Sequence, residues 1–145
     1  MRITQEADYA LRITSLLAAS DVPIGAPQIA ESVCIPPRFA MKILRKLSLQ
    51  GVVMATRGVS GGYSLYAKPA ELSVRRVIEA IDGPIEVQKC LNSEHICTRN
   101  PNKSCCRFHK MFKALNNKIT QSLDAITIGE MVNTEIPIEK LIEKF

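Results

Sequence analysis

The sequence predicts a mainly α-helical fold with a small β-hairpin wing, a winged helix-turn-helix followed by a long dimerisation helix. Three observations point to it. Three short amphipathic segments precede residue 51, a glycine-rich turn joins two short apolar runs, and a long apolar seam follows residue 107. The chain has 145 residues, 46% of them hydrophobic, which suffices for one domain with a real core.

Two short helices open the chain. The first is predicted from Gln5 to about Ala19, with Thr4 as its N-cap. Glu6 suits the first turn, where the helix dipole favours an acidic residue. The second helix begins at Pro27, because proline is well suited to a first helical position, and a turn over residues 34–36 ends it.

The third helix has the clearest apolar periodicity. It is predicted from Pro37 to about Gln50 and is followed by Gly51, the glycine expected beyond a helix C-terminus. Its predicted buried face repeats at spacings of three and four residues and consists of Phe39, Ala40, Ile43, Leu44 and Leu47. The opposite face of this helix is therefore expected to be exposed.

A hairpin and a fourth helix come next. Residues 52–66 are predicted to form two short strands around a turn that contains three glycines. Val74–Ile81 is predicted as a helix with Ser73 as its N-cap, and Gly83 ends it. The order of three helices and a hairpin is typical of a winged helix-turn-helix.

The last part of the chain holds a loop and a long helix. Residues 86–107 have no apolar period. The helix after them carries a seam with spacings near three and four, suited to pairing with another helix: Phe108, Phe112, Leu115, Ile119, Leu123 and Ile126. Thr127 and Glu130 have the spacing of a capping box for a short last element.

The outward face of the third helix is basic. Its residues are spaced three, one and three apart, with Lys46 beside them, and no acidic residue interrupts them: Arg38, Met41, Lys42 and Arg45. A helix of this width fits the major groove of DNA, where arginine and lysine reach guanine edges or phosphates. The alternative is a solvated basic helix beside an ordinary hairpin.

The predicted wing adds a second basic element. Arg57 stands at the head of the glycine-rich tip, which also contains Ser60 and Gly61. Glycines let backbone amides approach phosphates closely, and an arginine there can enter the minor groove. Helix order, basic face and wing together predict binding of double-stranded DNA. The formal net charge of +5 permits this function without requiring it.

Cysteine usage points to metal, cluster or redox chemistry. No apolar run reaches the roughly 18 residues of a membrane span, and no secretory signal is evident, so we expect a cytoplasmic protein. Disulfides are disfavoured there, and four of the five cysteines lie between residues 90 and 106. Cys34, in the helix-turn-helix, is expected to be a small buried residue.

The cysteine spacing favours an iron–sulfur cluster. Thiolates suit clusters and zinc, but the gaps after Cys90 and Cys97 are wider than those of common zinc knuckles. Adjacent Cys105 and Cys106 point apart, so one of them is a spectator and three thiolates reach one cluster. His109 and Asp8 are the competing fourth ligands, unless they are a solvated side chain and a first-turn carboxylate respectively.

Four segments together carry a resemblance to a known family. They are Met1-Arg2-Ile3-Thr4 with Asp8-Tyr9-Ala10-Leu11-Arg12, the wing Arg57-Gly58-x-x-Gly61-Gly62-Tyr63, the cysteine trio, and Thr127-Ile128-Gly129-Glu130-Met131-Val132. With them the chain resembles the Rrf-type (IscR/NsrR/RirA) family of iron–sulfur winged helix-turn-helix transcriptional regulators, over roughly residues 1–132.

The resemblance implies a homodimer joined through the long helix, and a cluster whose state sets the affinity for operator DNA. It implies Cys90, Cys97 and Cys106 as ligands. Cys106-x2-His109 is similar to the IscR-type arrangement, with histidine as the fourth ligand. Asp8 is similar to the NsrR-type arrangement, in which the partner protomer supplies a carboxylate. The cluster is [2Fe–2S] or [4Fe–4S].

Three functional hypotheses follow. The first is a dimeric regulator, a repressor, that senses redox state, nitric oxide or iron supply through the cluster. It divides the chain into a DNA-binding domain (1–83), a cluster-binding loop (84–107) and a dimerisation segment (108–145). The second replaces the cluster with structural zinc or a thiol switch. The third is an electron carrier or small enzyme, but the sequence lacks a nucleotide-binding glycine motif and a catalytic constellation. We therefore expect no enzyme and no small-molecule substrate.

Overall fold

The computed structural model describes residues 3–98 and 102–145. Its described elements are α1 (Gln5–Ala18), α2 (Ala26–Ser32), α3 (Pro37–Leu49), β1 (Val53–Thr56), β2 (Gly62–Leu65), α4 (Val74–Asp82), α5 (Arg107–Asp124), α6 (Ile128–Val132) and α7 (Ile138–Ile142). Short 3₁₀ turns lie at Pro69–Glu71, Lys89–Leu91 and Lys103–Cys105. The predicted fold class, mostly helical with a two-stranded hairpin, is confirmed.

The core forms around α1. This helix packs against α3, α4, α6 and β2, and its inward positions are small or apolar. Ala7 and Ala10 are completely buried, which lets neighbouring backbones approach closely. Thr14 is also buried, and its hydroxyl donates to the Ala10 carbonyl at 2.9 Å, so its polar group is satisfied within the helix. As predicted, the Thr4 hydroxyl caps the N-terminus by accepting from the Ala7 N–H.

The helix-turn-helix turn differs from the expectation at one residue. Cys34 was expected to be buried, but it is exposed and has a φ of 55°. This left-handed conformation is uncommon for a residue other than glycine, and here it lets the chain reverse between α2 and α3. The N–H groups of Cys34 and Ile35 donate to carbonyls of α2, and Ile35 takes the buried position instead.

The wing is an antiparallel pair in which Val53 faces Leu65 and Thr56 faces Gly62. Tyr63 also exchanges two backbone hydrogen bonds with Ile24, at 2.8 and 3.0 Å, and so ties the wing to the segment before α2. Gly62 permits this contact, because a Cβ there would lie 2.7 Å from the Ile24 carbonyl. The wing is thereby fixed relative to the helix-turn-helix.

The segment after α5 packs against the N-terminal part of the chain. Ser73 and Thr127 form an isolated antiparallel bridge, and α6 packs on α1. The predicted capping box of Thr127 and Glu130 is present. Ile126 was expected on the seam of the long helix, but α5 ends at Asp124 and Ile126 is buried beyond it. Over residues 3–98 and 102–145, none of the helices has the length and apolar character needed to cross a bilayer.

The buried face of α3 should contribute strongly to stability. We expect Ile43→Ala to lower the free energy of unfolding by about 2–5 kcal/mol, because the side chain is completely buried and leaves a cavity. Leu49→Ala on the same helix is the matched control. Leu49 is 75% exposed, so its change should stay within about 0.5 kcal/mol. Denaturant titrations would measure both; equal losses would contradict this assignment of faces.

The Glu130 carboxylate should make stability pH-dependent. The Lys144 ammonium at 2.6 Å, helped by the Thr127 N–H, holds the pKa of Glu130 below its ordinary value of 4.5. A lowered pKa stabilises the fold above pH 4.5, and this stabilisation is lost as pH falls through the folded-state value. Glu130→Gln should therefore be less stable than wild type at pH 7, with a difference that shrinks as pH falls below 4.5.

The measurement is the free energy of unfolding of both chains from pH 3 to 7. Glu135→Gln removes one carboxylate from the loop before α7 and is the matched control, because no ion pair depends on it among the described residues. A gap between wild type and Glu130→Gln that persists unchanged at pH 3 would contradict the role given to the charge.

Candidate functional site

The exposed face of α3 carries the predicted basic stripe. Arg38, Met41, Lys42 and Arg45 are exposed, and Lys46 at the edge of the face is half-buried. The opposite side of the same helix packs into the core through completely buried Ala40, Ile43, Leu44 and Leu47. The periodicity in the sequence therefore separates a packing face from a face that is free to meet a partner.

An acidic residue from another helix reaches this face. Glu6 on α1 contacts Lys42 at 2.5 Å and Lys46 at 2.7 Å. Hydrogen bonds from Lys42 and then Lys46 hold the pKa of Glu6 below its ordinary value, so it is ionised at neutral pH. The stripe on α3 contains no acidic residue, as the sequence indicated. In the folded protein, however, Glu6 of α1 lies at this surface.

The two arginines of the stripe, unlike the two lysines, do not contact Glu6. Arg38 lies over the Phe39 ring, 5.4 Å from its centre, in a cation–π arrangement. Within residues 3–98 and 102–145, neither Arg38 nor Arg45 has a carboxylate partner. The far end of α3 is anchored by Arg76, whose guanidinium donates to the Gln50 carbonyl at 2.5 Å. Arg38 and Arg45 thus present their charge to solvent on a fixed helix.

The wing tip is exposed beside this helix. Arg57, Val59 and Ser60 are open to solvent, and Gly58 has a φ of 116° that favours glycine. Gly61 is half-buried, and a Cβ there would lie 2.4 Å from the Thr56 carbonyl oxygen. The glycines are therefore needed to close the tip, which leaves the Arg57 side chain outside it.

A second feature is a cavity of about 320 Å³ between the cysteine loop and the start of α5. The structure brings four sequence-predicted residues to its wall, Cys90, Cys97, Cys106 and His109. The three thiols are half-buried. The rest of the lining consists of Gln88, His95, Lys103, Phe108 and Phe112.

Two hydrogen bonds outside the cysteines shape this loop. The Val87 N–H donates to the Asn116 side chain at 3.0 Å and fixes the start of the loop on α5. The Lys103 ammonium donates to the Asn92 carbonyl at 2.6 Å and holds the two arms of the loop together. The cavity walls therefore have supports other than a ligand.

His109 has an unused donor or acceptor atom at the cavity. It lies in the first turn of α5, three residues beyond Cys106, which is the N-cap residue. Its Nδ1 is buried and has no hydrogen-bond partner among the described residues. Buried polar atoms are almost always paired, so this unpaired nitrogen is unusual, and it belongs to a residue that lines the same cavity as three thiols.

The remaining predicted ligands lie elsewhere, and one histidine of the lining was missed. The Asp8 carboxylate pairs with Arg12 on the same helix at 2.7 Å, away from this cavity. Cys105 is exposed beside Ser104, so Cys106 is the member of the pair that faces the cavity. His95 was not predicted. Its position two residues before Cys97 was the only available signal, and one histidine in a loop is a weak one.

The donors surround a space instead of converging on a point. Within residues 3–98 and 102–145, no group of three or more His, Cys, Asp or Glu side chains is close enough to hold a single metal ion. A structural zinc site needs four donors about 2.0–2.3 Å from one centre. The described side chains as placed do not form such a site.

The long helix α5 presents an apolar surface to solvent. Its only buried described residue is Thr120, whereas Phe108, Met111 and Leu115 are each about half exposed. Phe145 at the chain end is 69% exposed and, with Ile119 and Leu123, lines an open apolar groove of about 300 Å³. The exposed side of α5 is therefore rich in large apolar side chains.

A cationic helix on a rigid helix-turn-helix, next to a hairpin wing, defines a DNA-binding protein of the winged helix-turn-helix class. The family model of the Rrf2 iron-dependent transcriptional regulators matches residues 3–134. The chain belongs to this family, which confirms the resemblance seen in the sequence. Members of the family are transcriptional regulators, not enzymes.

Individual relatives agree with the family match. An Rrf2-like HTH-type transcriptional regulator of Rhodobacter capsulatus is 34% identical, over 97% of this chain and 99% of the relative. The HTH-type transcriptional regulator IscR of Aliivibrio salmonicida is 32% identical, over 94% of this chain and 80% of the relative. The structure of T. potens IscR has a TM-score of 0.72 over 94% of this chain and 89% of that one, at 19% identity, which shows the shared fold.

Proposed function

We propose that this chain is a homodimeric repressor that binds operator DNA and senses redox state, nitric oxide or iron supply through an iron–sulfur cluster. One observation carries the proposal: three cysteines and a histidine from a loop and a helix line one cavity, on a chain that also presents an exposed basic helix. In this proposal residues 1–83 bind DNA, 84–107 hold the cluster and 108–145 dimerise. Such a regulator acts on the chromosome, in the cytoplasm.

The cluster ligands in this proposal are Cys90, Cys97, Cys106 and His109. Thiolates hold iron in such clusters, and the imidazole of His109, which lines the same cavity, would complete the set. A cavity of about 320 Å³ is supporting evidence for a cluster of several atoms in place of zinc. The name IscR of the Aliivibrio salmonicida relative also supports this assignment. Asp8 is a ligand only if it comes from the partner protomer.

The dimer in this proposal forms through α5. A helix of 18 residues with one buried described residue and a row of half-exposed apolar side chains gains by packing against a second copy. Two-fold symmetry then places two α3 helices for successive half-sites, about one turn of DNA apart.

The loop is connected to the recognition helix through α4 and α1. The cysteine loop begins directly after α4, whose last residue, Asp82, accepts hydrogen bonds from the Thr4 hydroxyl and N–H at 2.6 and 3.2 Å. Thr4 caps α1, which packs on α3. Residues of the loop that would hold a cluster are thus connected through α4 and α1 to the DNA-binding face, and coupling of about 1–3 kcal/mol along this route would change occupancy roughly 5–150-fold.

The DNA-binding face can be tested at Arg45. We expect Arg45→Ala to weaken binding to a duplex selected by the wild-type chain about 10-fold or more, because an unpaired cation on the recognition helix is lost. Lys140→Ala on α7 removes the same charge far along the chain and should leave affinity within about 2-fold. Fluorescence anisotropy measures both. Equal effects of the two substitutions would contradict the assignment of α3.

The cluster can be tested with two adjacent cysteines. We expect Cys106→Ala to abolish bound iron and sulfide and the visible absorption of anaerobically isolated protein, because its thiol faces the cavity. Cys105→Ala should retain them, since that thiol is exposed outside the cavity. His109→Ala should keep a cluster that is lost faster on exposure to oxygen or nitric oxide. Colourless wild-type protein with one zinc per chain would instead support a structural metal.

A further inference from the structure

The first turn of α1 reaches the DNA-binding face from outside the helix-turn-helix. The two oxygens of Glu6 bind the ammonium groups of Lys42 and Lys46, which lie one helical turn apart on α3. The Glu6 side chain is 27% exposed, compared with 53% and 38% for the two lysines. The carboxylate bridges the two ammonium groups, and its side chain is the least exposed of the three.

Glu6 is held in this position by its neighbours. Thr4, two residues before it, is clamped by both oxygens of Asp82. Ala7, the next residue, is completely buried. The backbone cannot carry Glu6 away from the lysines unless the Thr4–Asp82 contacts break and Ala7 leaves the core. The Glu6 backbone is therefore held next to α3, with both lysines within reach of its carboxylate.

The bridge changes the charge that DNA meets. Two lysines and one carboxylate have a net charge of +1, and phosphates must compete with Glu6 for the ammonium groups. Arg38 and Arg45 keep their full charge. Binding to DNA of arbitrary sequence depends almost wholly on phosphate neutralisation, whereas specific binding adds contacts to base edges. Glu6 reduces the contribution of phosphate contacts to the binding free energy, and it holds the two lysines in one arrangement. It therefore favours the DNA sequence that fits this arrangement.

We infer that Glu6 is a specificity-determining residue of the DNA interface: by bridging Lys42 and Lys46 it weakens binding to arbitrary duplex DNA more than binding to the preferred operator. This inference rests on the proposed use of the exposed α3 face for DNA. It assigns to α1 a part in DNA recognition.

The test compares Glu6→Gln with wild type, both as anaerobically isolated full chains. Two labelled duplexes are used, one selected by the wild-type chain from a random library and one with the same composition in scrambled order. Glu6→Gln should bind the scrambled duplex about 3- to 10-fold more tightly at low salt, with a smaller gain for the selected duplex. The plot of log affinity against log salt should steepen by about 1, since the freed lysines contact phosphate.

Two controls isolate the bridge. Glu143→Gln at the chain end makes the same change in net charge and should alter neither affinity. Glu6→Gln should have no further effect in a chain that carries Lys42→Met and Lys46→Met. Circular dichroism of each variant checks folding, and Glu6→Ala is the second variant for the same measurements.

The outcomes separate this inference from the proposed function. If wild type discriminates between the duplexes and Glu6→Gln behaves like wild type or like Glu143→Gln, the inference is overturned and the proposed function stands. A gain that persists without the two lysines also overturns it. If wild type binds neither duplex at any salt concentration, the proposed function fails, and the inference fails with it.

Discussion

The packing of α1 against its neighbours is the constraint on which the rest of the structure depends. Ala7 and Ala10 are completely buried, and their small side chains allow α3, α4 and α6 to approach one helix from several sides. The recognition helix, the helix that leads into the cysteine loop and the C-terminal capping-box helix therefore share one partner. A displacement of α1 alters all three contacts together.

The N-terminus of α1 makes two contacts that link different parts of the molecule. Thr4 binds Asp82, where the cysteine loop starts, and Glu6 binds Lys42 and Lys46 on the recognition helix. The loop and the DNA-binding face are thus joined through three consecutive residues and their hydrogen bonds. Each contact alone is a modest surface interaction, and both are made by the first residues of α1 and its N-cap.

The side chains of the cavity and those of the exposed α3 face are positioned in different ways. On α3 the side chains come from one helix, and their relative positions follow from helical geometry alone. At the cavity, Cys90, Cys97, Cys106 and His109 come from segments that are joined by Lys103, Asn92, Val87 and Asn116. Those non-cysteine contacts set the spacing of the thiols. The walls of this cavity therefore depend on contacts between segments that are far apart in the sequence.

Local sequence determined the elements and their faces: the caps at Thr4, Ser73 and Thr127 and the buried side of α3 depend on residues within one or two turns, where propensity and periodicity act. Only the tertiary structure decided the rest. Glu6 is 36 residues from Lys42, and no local pattern connects them. The same holds for His95 at the cavity, for the exposure of Cys34 and for the burial of Ile126 beyond α5. Contacts between distant segments depend on how whole elements pack, and that information is spread over the entire chain.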